Sequence, residues 1–445
     1  MRTVVSTLLL LIASAALAQI GLPAVRVPSV PGVTLPNVPA AGVLDIDKSA
    51  AVLAGEVDPR RLRELRALRV REQLRRHRDV LEADPHGAPM VRGELLALSP
   101  SAAALQAAGA AGFSVVRESV SAELGTHVVV LHAARGTAHA LARLQELDPA
   151  GVYDFNHVYT DSGAVGLAEP AAQPAPAPGA VARAPGAQGV SAIRVGLIDS
   201  GVDVTHEVFS GITVQQHGCA RAVPAEHGTA VASLMVGRAS ALHGAAPGSA
   251  LYAVDVFCGL PTGGAVDSVA EAFAWLVREQ VPVINVSLVG PPNRTLAGIV
   301  QNVLARGHLV VAAVGNDGPA APPLYPAAWP GVVGVTAVDA RQQVLVEALR
   351  GAQVKFAAPG ADMAAAGPHQ GYALVRGTSF ASPIVAGLLA LELPTPDDSA
   401  AQQAVAALAA RAVDLGTAGL DPVYGYGLVG ADLRRQPALA RLGAR

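Results

Sequence analysis

Four polar residues sit where side chains can do chemistry. Asp199 ends the apolar run VGLIDSG, His227 opens HGTAVASLMVG, Asn316 lies among the glycines of AAVGNDGP, and Ser379 stands in RGTSFASP ahead of an apolar stretch. Each has an ordinary structural reading. An aspartate after a strand starts a turn, a histidine at a helix start packs, an asparagine among glycines bonds its own backbone, and a serine at a helix N-terminus caps it. Taken together they fit another use. A hydroxyl nucleophile, an imidazole to take and return its proton, a carboxylate to orient the imidazole and an amide to donate to a developing oxyanion make up acyl-transfer chemistry. A helix start at Ser379 adds a field that favours negative charge.

These residues need a scaffold that brings them together. AIRVGLIDS, ALYAVDVF, VPVINVSLVG, GHLVVAAVGN and GVVGVTAVD are short apolar runs, separated by helix-like segments such as DSVAEAFAWLVREQ. Strands apolar throughout that alternate with helices predict a doubly wound α/β domain, with a mostly parallel sheet covered on both faces. Sites in such sheets form in the crevice outside the carboxyl ends of the strands, so Asp199, Ser287 and Asn316 are expected near one cleft.

Upstream, residues 92–160 read as strand GELLALS, helix SAAALQAAGAAG, strands FSVVRESV and THVVVLHA, helix GTAHALARLQEL and strand GVYDFNHVYT. That order, β-α-β-β-α-β, is the split ferredoxin-like α+β arrangement. Residues 161–192 hold AEPAAQPAPAPGAVARAPGAQG, a Pro/Ala/Gly linker open to proteolysis. Residues 58–84 read as a charged, solvated helix, with Asp58 as cap, Pro59 at its first position, and Leu62, Leu65, Leu68 and Leu74 among arginines.

A length of 445 residues suits two domains plus extensions, and a formal net charge of −3 argues against nucleic acid as the main partner. Residues 1–18 read as a signal peptide cut near Ala18, so the product is expected to be secreted or periplasmic. No run is long enough for a transmembrane anchor. Residues 19–57 form a Pro-rich irregular leader. Cys219 and Cys258 can close one disulfide in an oxidising compartment, the alternative being two separate buried thiols. A metal site wants more ligands than two cysteines, so no metal and no cofactor is expected.

In the motifs D-S-G, H-G-T, G-N-x-G and G-T-S-x-A-S-P, in this order, the chain resembles the subtilases, the subtilisin-like serine peptidases. The resemblance covers about Ile193 to Gly430, within a domain read as 193–433, and extends to GAAPGSALYAVDVF, YPAAWPGVVGVTAVD, FAAPG and YGYGLVGA. It implies an endopeptidase acting on protein or peptide substrates, with Ser379 as nucleophile, His227 as base, Asp199 as its orienting partner and Asn316 as oxyanion donor. It also implies a substrate-pairing edge at Ser287, Leu288, Val289 and Gly290. The 92–160 module is similar to the inhibitory propeptide of this family. A monomeric, self-inhibited precursor cut between about Thr160 and Ser191 is therefore expected.

The chain departs from the family pattern in several places. Val289 stands where the family often has Gly, Ala230 where it often has a second His, and Val208 where one calcium site takes an aspartate. The loop from Met235 to His243 contains no carboxylate, and calcium is not carried over. Phe380 replaces the methionine that many relatives carry beside the nucleophile, so resistance to peroxide is expected. Ser382, inside the first helical turn with Pro383, reads as structural. Among rivals, an α/β-hydrolase wants G-x-S-x-G, which is missing, and the acid-acting sedolisins lack the His and Asn. A catalytically silent binding protein on the same scaffold would be free to lose a triad member, and none is lost.

Overall fold

The computed structural model describes residues 59–434 apart from 135, 162, 167–192, 241 and 368–369, all within the compact unit Asp45–Arg445. The expected signal, the leader and most of the expected linker lie outside the described residues.

The N-terminal part runs α1 (Pro59–Arg76), β1 (Leu81–Ala83), β2 (Pro89–Leu98), α2 (Ala102–Ala110), β3 (Ser114–Ser121), β4 (Thr126–His132), α3 (Thr137–Leu147) and β5 (Val152–His157). All its strand pairs are antiparallel: β3 with β4, β4 with β2, and β2 with both β5 and β1. The result is the expected β-α-β-β-α-β sheet with β1 added at one edge. The charged segment thus leaves its helix at Arg76, short of residue 84. Leu81 is fully buried opposite Val91, and that tertiary pairing outweighs the local helical pattern.

Side chains alternate across this sheet, as the pleat requires. Leu95, Val129 and Leu131 pack beneath α2 and α3 with Ala108 and Leu144. Leu96, Val128 and Val130 face the other way and share one apolar cluster with Phe273, Leu296 and Ile299 of the larger domain. Two short strands follow, β6 (Thr160–Asp161) and β7 (Ala164–Gly166).

The larger part continues with β8 (Arg194–Asp199), β9 (Val214–His217), α4 (Glu226–Val236), β10 (Ala250–Asp255), α5 (Val266–Arg278), β11 (Val283–Val286), β12 (Leu288–Val289) and α6 (Arg294–Leu304). Then come β13 (Leu309–Ala313), β14 (Val333–Val338), β15 (Val354–Pro359), β16 (Met363–Ala366), β17 (Tyr372–Arg376), α7 (Thr378–Glu392) and α8 (Asp398–Arg411). Seven strands form one sheet in the order β15-β14-β13-β11-β8-β10-β9, every pair parallel.

Each central strand feeds two layers. Val195, Leu197, Val283 and Val311 join the cluster of α4, α7 and α8, whereas Ile198, Ile284 and Val310 join that of α5 and α6. Each such buried side chain contributes roughly 1.5–3 kcal/mol, which is why these strands read as unbroken apolar runs. From β8 the chain winds to one side through β9 and β10 and then to the other through β11. The crevice at this reversal opens beyond the last residue of β8. No helix among the described residues is long and apolar enough to cross a membrane.

Candidate active site

Asp199 is the last residue of β8 and His227 the second of α4, and Asp199 Oδ1 lies 2.8 Å from His227 Nδ1. Both side chains are buried. The glycines of the two motifs make this approach possible. A Cβ on Gly228 would meet Ser200 O at 2.1 Å, and one on Gly201 would meet Val223 O at 2.1 Å. The turn and the helix start then lock together: Gly228 N donates to Ser200 Oγ (3.0 Å), and Asp203 N donates to Thr229 Oγ1 (2.9 Å).

The other pair of motifs interlocks in the same way. Gly377, at φ 137°, lets β17 turn into α7, and Ser379 is the second residue of that helix. Thr378 N donates to Asn316 Oδ1 (3.1 Å), which fixes the amide by its oxygen and leaves its NH2 at the opposite end, and Gly315 N donates to Thr378 Oγ1 (3.1 Å). Ser379 Oγ donates to Ser287 O at 3.3 Å. Ser287 interrupts what the sequence reads as a single strand, and its buried hydroxyl donates to Ser379 O (3.1 Å) while accepting from Asn285 Nδ2 (2.9 Å). Ser382 Oγ completes that cluster at 3.1 Å from Ser287 Oγ. The Ser287 side chain is thus a tether for the serine helix, and the edge itself is supplied by Leu288 and Val289 of β12, both buried.

A segment of the chain itself runs through the cleft. β6 pairs antiparallel with β12, Leu288 opposite Asp161 and Val289 opposite Thr160. β7 pairs antiparallel with β17, Arg376 opposite Ala164 and Leu374 opposite Gly166. The buried Tyr159 ring sits where a Cβ on Gly290 would be, at 2.6–2.7 Å, and its hydroxyl donates to Pro291 O at 2.6 Å. Asp161 and Ala164–Gly166, read from sequence as the start of the Pro/Ala/Gly linker, are therefore held on the two edges of the site.

Electrostatics follow from this packing. Burial pulls the His227 imidazolium down, but the charge and hydrogen bond of Asp199, with the charge of Asp161, push it up to about 9. Both carboxylates thus favour the imidazolium form of His227 while the segment is in place. His227 Nε2 is buried without a hydrogen-bond partner. Beside Asn316, burial pushes the Asp317 carboxyl up, and Arg66 and Arg69 of α1 pull against that. The Arg66 guanidinium lies 3.1 Å from Asp317, so α1 docks beside the site at a point where the sequence reads as a solvated helix.

Cys219 and Cys258 form a disulfide with Cα atoms 5.5 Å apart, joining the ends of β9 and β10. Among the described residues, the one cluster of metal-ligating types is Cys219, Asp255 and Cys258. Its sulfurs are bonded to each other, and Asp255 Oδ1 accepts from Phe257 N and Cys258 N at 2.9 and 3.0 Å.

The model of the Subtilase family (Peptidase_S8) matches residues 191–427, just over half of the chain. The chain belongs to the subtilase family, the subtilisin-like serine peptidases. Over 253 residues it is 34% identical to subtilisin BL of Lederbergia lenta, covering 54% of this chain and 90% of that protein. Subtilisin DY of Bacillus licheniformis is 31% identical, with 55% and 91% covered. The minor extracellular protease Epr of Bacillus subtilis is 31% identical over 244 residues, 53% of this chain but 37% of Epr, so the match spans well under half of that relative. Among solved structures, fervidolysin from Fervidobacterium pennivorans, a keratinolytic enzyme related to subtilisin, shares the fold with a TM-score of 0.63. That match has 21% identity and covers 77% of this chain and 61% of that one.

Three contacts of this subtilase had no signal in its motifs: Tyr159 against Gly290, Arg66 against Asp317, and Gly163 against the histidine. Each joins residues more than 60 positions apart, and no local pattern encodes such pairs.

Proposed function

We propose that the chain is an exported serine endopeptidase, made as a self-inhibited precursor whose 92–160 module and following residues act as an intramolecular inhibitor. In this reading Ser379 Oγ attacks the scissile carbonyl. His227 Nε2 takes the proton and returns it to the leaving amine, while Asp199 holds Nδ1–H and stabilises the imidazolium. The developing oxyanion receives the Asn316 amide and the N–H of Ser379 at the start of α7.

The observation that carries the reading is the pairing of Thr160–Asp161 with β12 and of Ala164–Gly166 with β17, beside the buried Asp199–His227 pair. A peptide bound by main-chain pairing on an edge strand is recognised with little demand on its sequence, as a peptidase substrate is. The secreted location draws on the signal-like residues 1–18 and on an extracellular relative.

Expression of the chain and of Ser379→Ala, followed by mass analysis of the products, tests this. The parent should split near the module–domain junction and the variant should stay whole. A variant that matures in pure form as fast as the parent overturns self-processing.

A further inference from the structure

We propose that the first cut falls on the amino side of Gly163, and that the pocket for the residue following the scissile bond, closed by Phe380, selects glycine in substrates. This rests on the peptidase reading above and narrows it to one bond and one substrate class.

The register confines the bond. Asp161 is the last residue paired on β12 and Ala164 the first paired on β17, so the reacting carbonyl belongs to residue 161, 162 or 163. The catalytic atoms choose among them. Ser379 Oγ lies 3.3 Å from Ser287 O, and Ser287 comes just before Leu288, the partner of Asp161, so on this antiparallel edge the nucleophile stands one position past Asp161. A Cβ on Gly163 would lie 3.2 Å from His227 Nε2. Nε2, buried and without a partner, therefore stands beside the residue that leaves, with Gly163 N as its amine. Cleavage at this bond balances simply. Ser379 Oγ bonds to the carbonyl carbon of residue 162, the C–N bond breaks, and the hydroxyl proton passes through His227 Nε2 to the Gly163 nitrogen. Water then releases the acyl group.

The same position shows why a glycine stands here. A Cβ on it would meet Phe380 Cε2 at 2.6 Å and Cζ at 3.0 Å. The Phe380 ring is fully buried, and its centroid lies 5.4 Å from that of His227. The buried ring can give way only by shifting the side chains packed around it. Gly163 does not have positive φ, so the demand is for space and not for a left-handed backbone. Overpacking of this kind lowers the rate by roughly tenfold or more.

Two measurements test the proposal. The released N-terminal fragment should have the mass of a chain ending at residue 162, Gly163→Val should slow that release roughly tenfold or more, and adding Phe380→Ala should restore much of it. With the matured parent, a peptide panel varied only after the scissile bond should favour Gly over Leu by a similar factor. A fragment ending elsewhere, or Gly163→Val maturing at the parent rate, or a flat panel, overturns the assignment while leaving the peptidase reading intact if Ser379→Ala stays whole. A parent that neither splits nor cleaves any peptide overturns both.

Discussion

Replacing Asp199 by asparagine in a precursor kept whole by Ser379→Ala isolates the electrostatics of the site. Asparagine preserves shape and removes one charge. Asp199 Oδ1 and His227 Nδ1 are 2.8 Å apart and buried, which puts the two charge centres about 4 Å from each other. At an effective dielectric of about 20 that is worth about 4 kcal/mol, or roughly a thousandfold in proton affinity. The His227 midpoint should fall from about 9 to the acid side of neutrality. The sign for stability follows. A raised histidine pKa stabilises the fold fully below its ordinary value of 6.5, and that gain is lost as pH rises through about 9. The Ser379→Ala precursor should therefore weaken toward urea across that window, and the double variant should not. NMR of 13C-labelled histidine, with the His227 signal assigned by its loss in His227→Gln, reads the midpoint directly. A midpoint that moves by less than one pH unit refutes the reasoning.

Arg66→Ala removes the partner of Asp317 across a partly exposed contact, a loss of about 1 kcal/mol, so the cut pro-region should dissociate roughly fivefold faster; unchanged retention on a sizing column would contradict this. Opening the Cys219–Cys258 bond, which spans 39 residues, should cost the Ser379→Ala precursor up to about 4 kcal/mol in chemical unfolding, and an unchanged midpoint would rule that out. With Phe380 beside the nucleophile and Met235 and Met363 fully buried, activity should survive peroxide. Rapid loss with oxidation mapped next to Ser379 would show otherwise.

The parallel sheet and the four motifs were legible because their causes are local. Strands such as Arg194–Asp199 are apolar throughout because both faces are covered, and each motif carries the small residues that its own turn needs, as Gly228 and Gly377 show. The occupied cleft was not legible. Thr-Asp-Ser-Gly-Ala-Val-Gly has the composition of a loop, and its two short strands, Thr160–Asp161 and Ala164–Gly166, exist because β12 and β17 offer edges from 120 or more positions away. The end of α1 was misplaced for a like reason, since Leu81 has an apolar niche against Val91 that no helical period announces. Val289, which stands where the family often has Gly, is buried opposite Thr160, so its influence comes through the edge strand.

The central claim is that Ser379 is an activated nucleophile in the processed protein. Treating the matured chain with a fluorophosphonate and mapping the adduct by mass spectrometry tests it most directly. The account predicts one label, on Ser379, with loss of peptidase activity in step, and no label on the Asp199→Asn variant over the same time. A processed protein that cleaves peptides yet stays unlabelled at Ser379, or carries its label elsewhere, would contradict it.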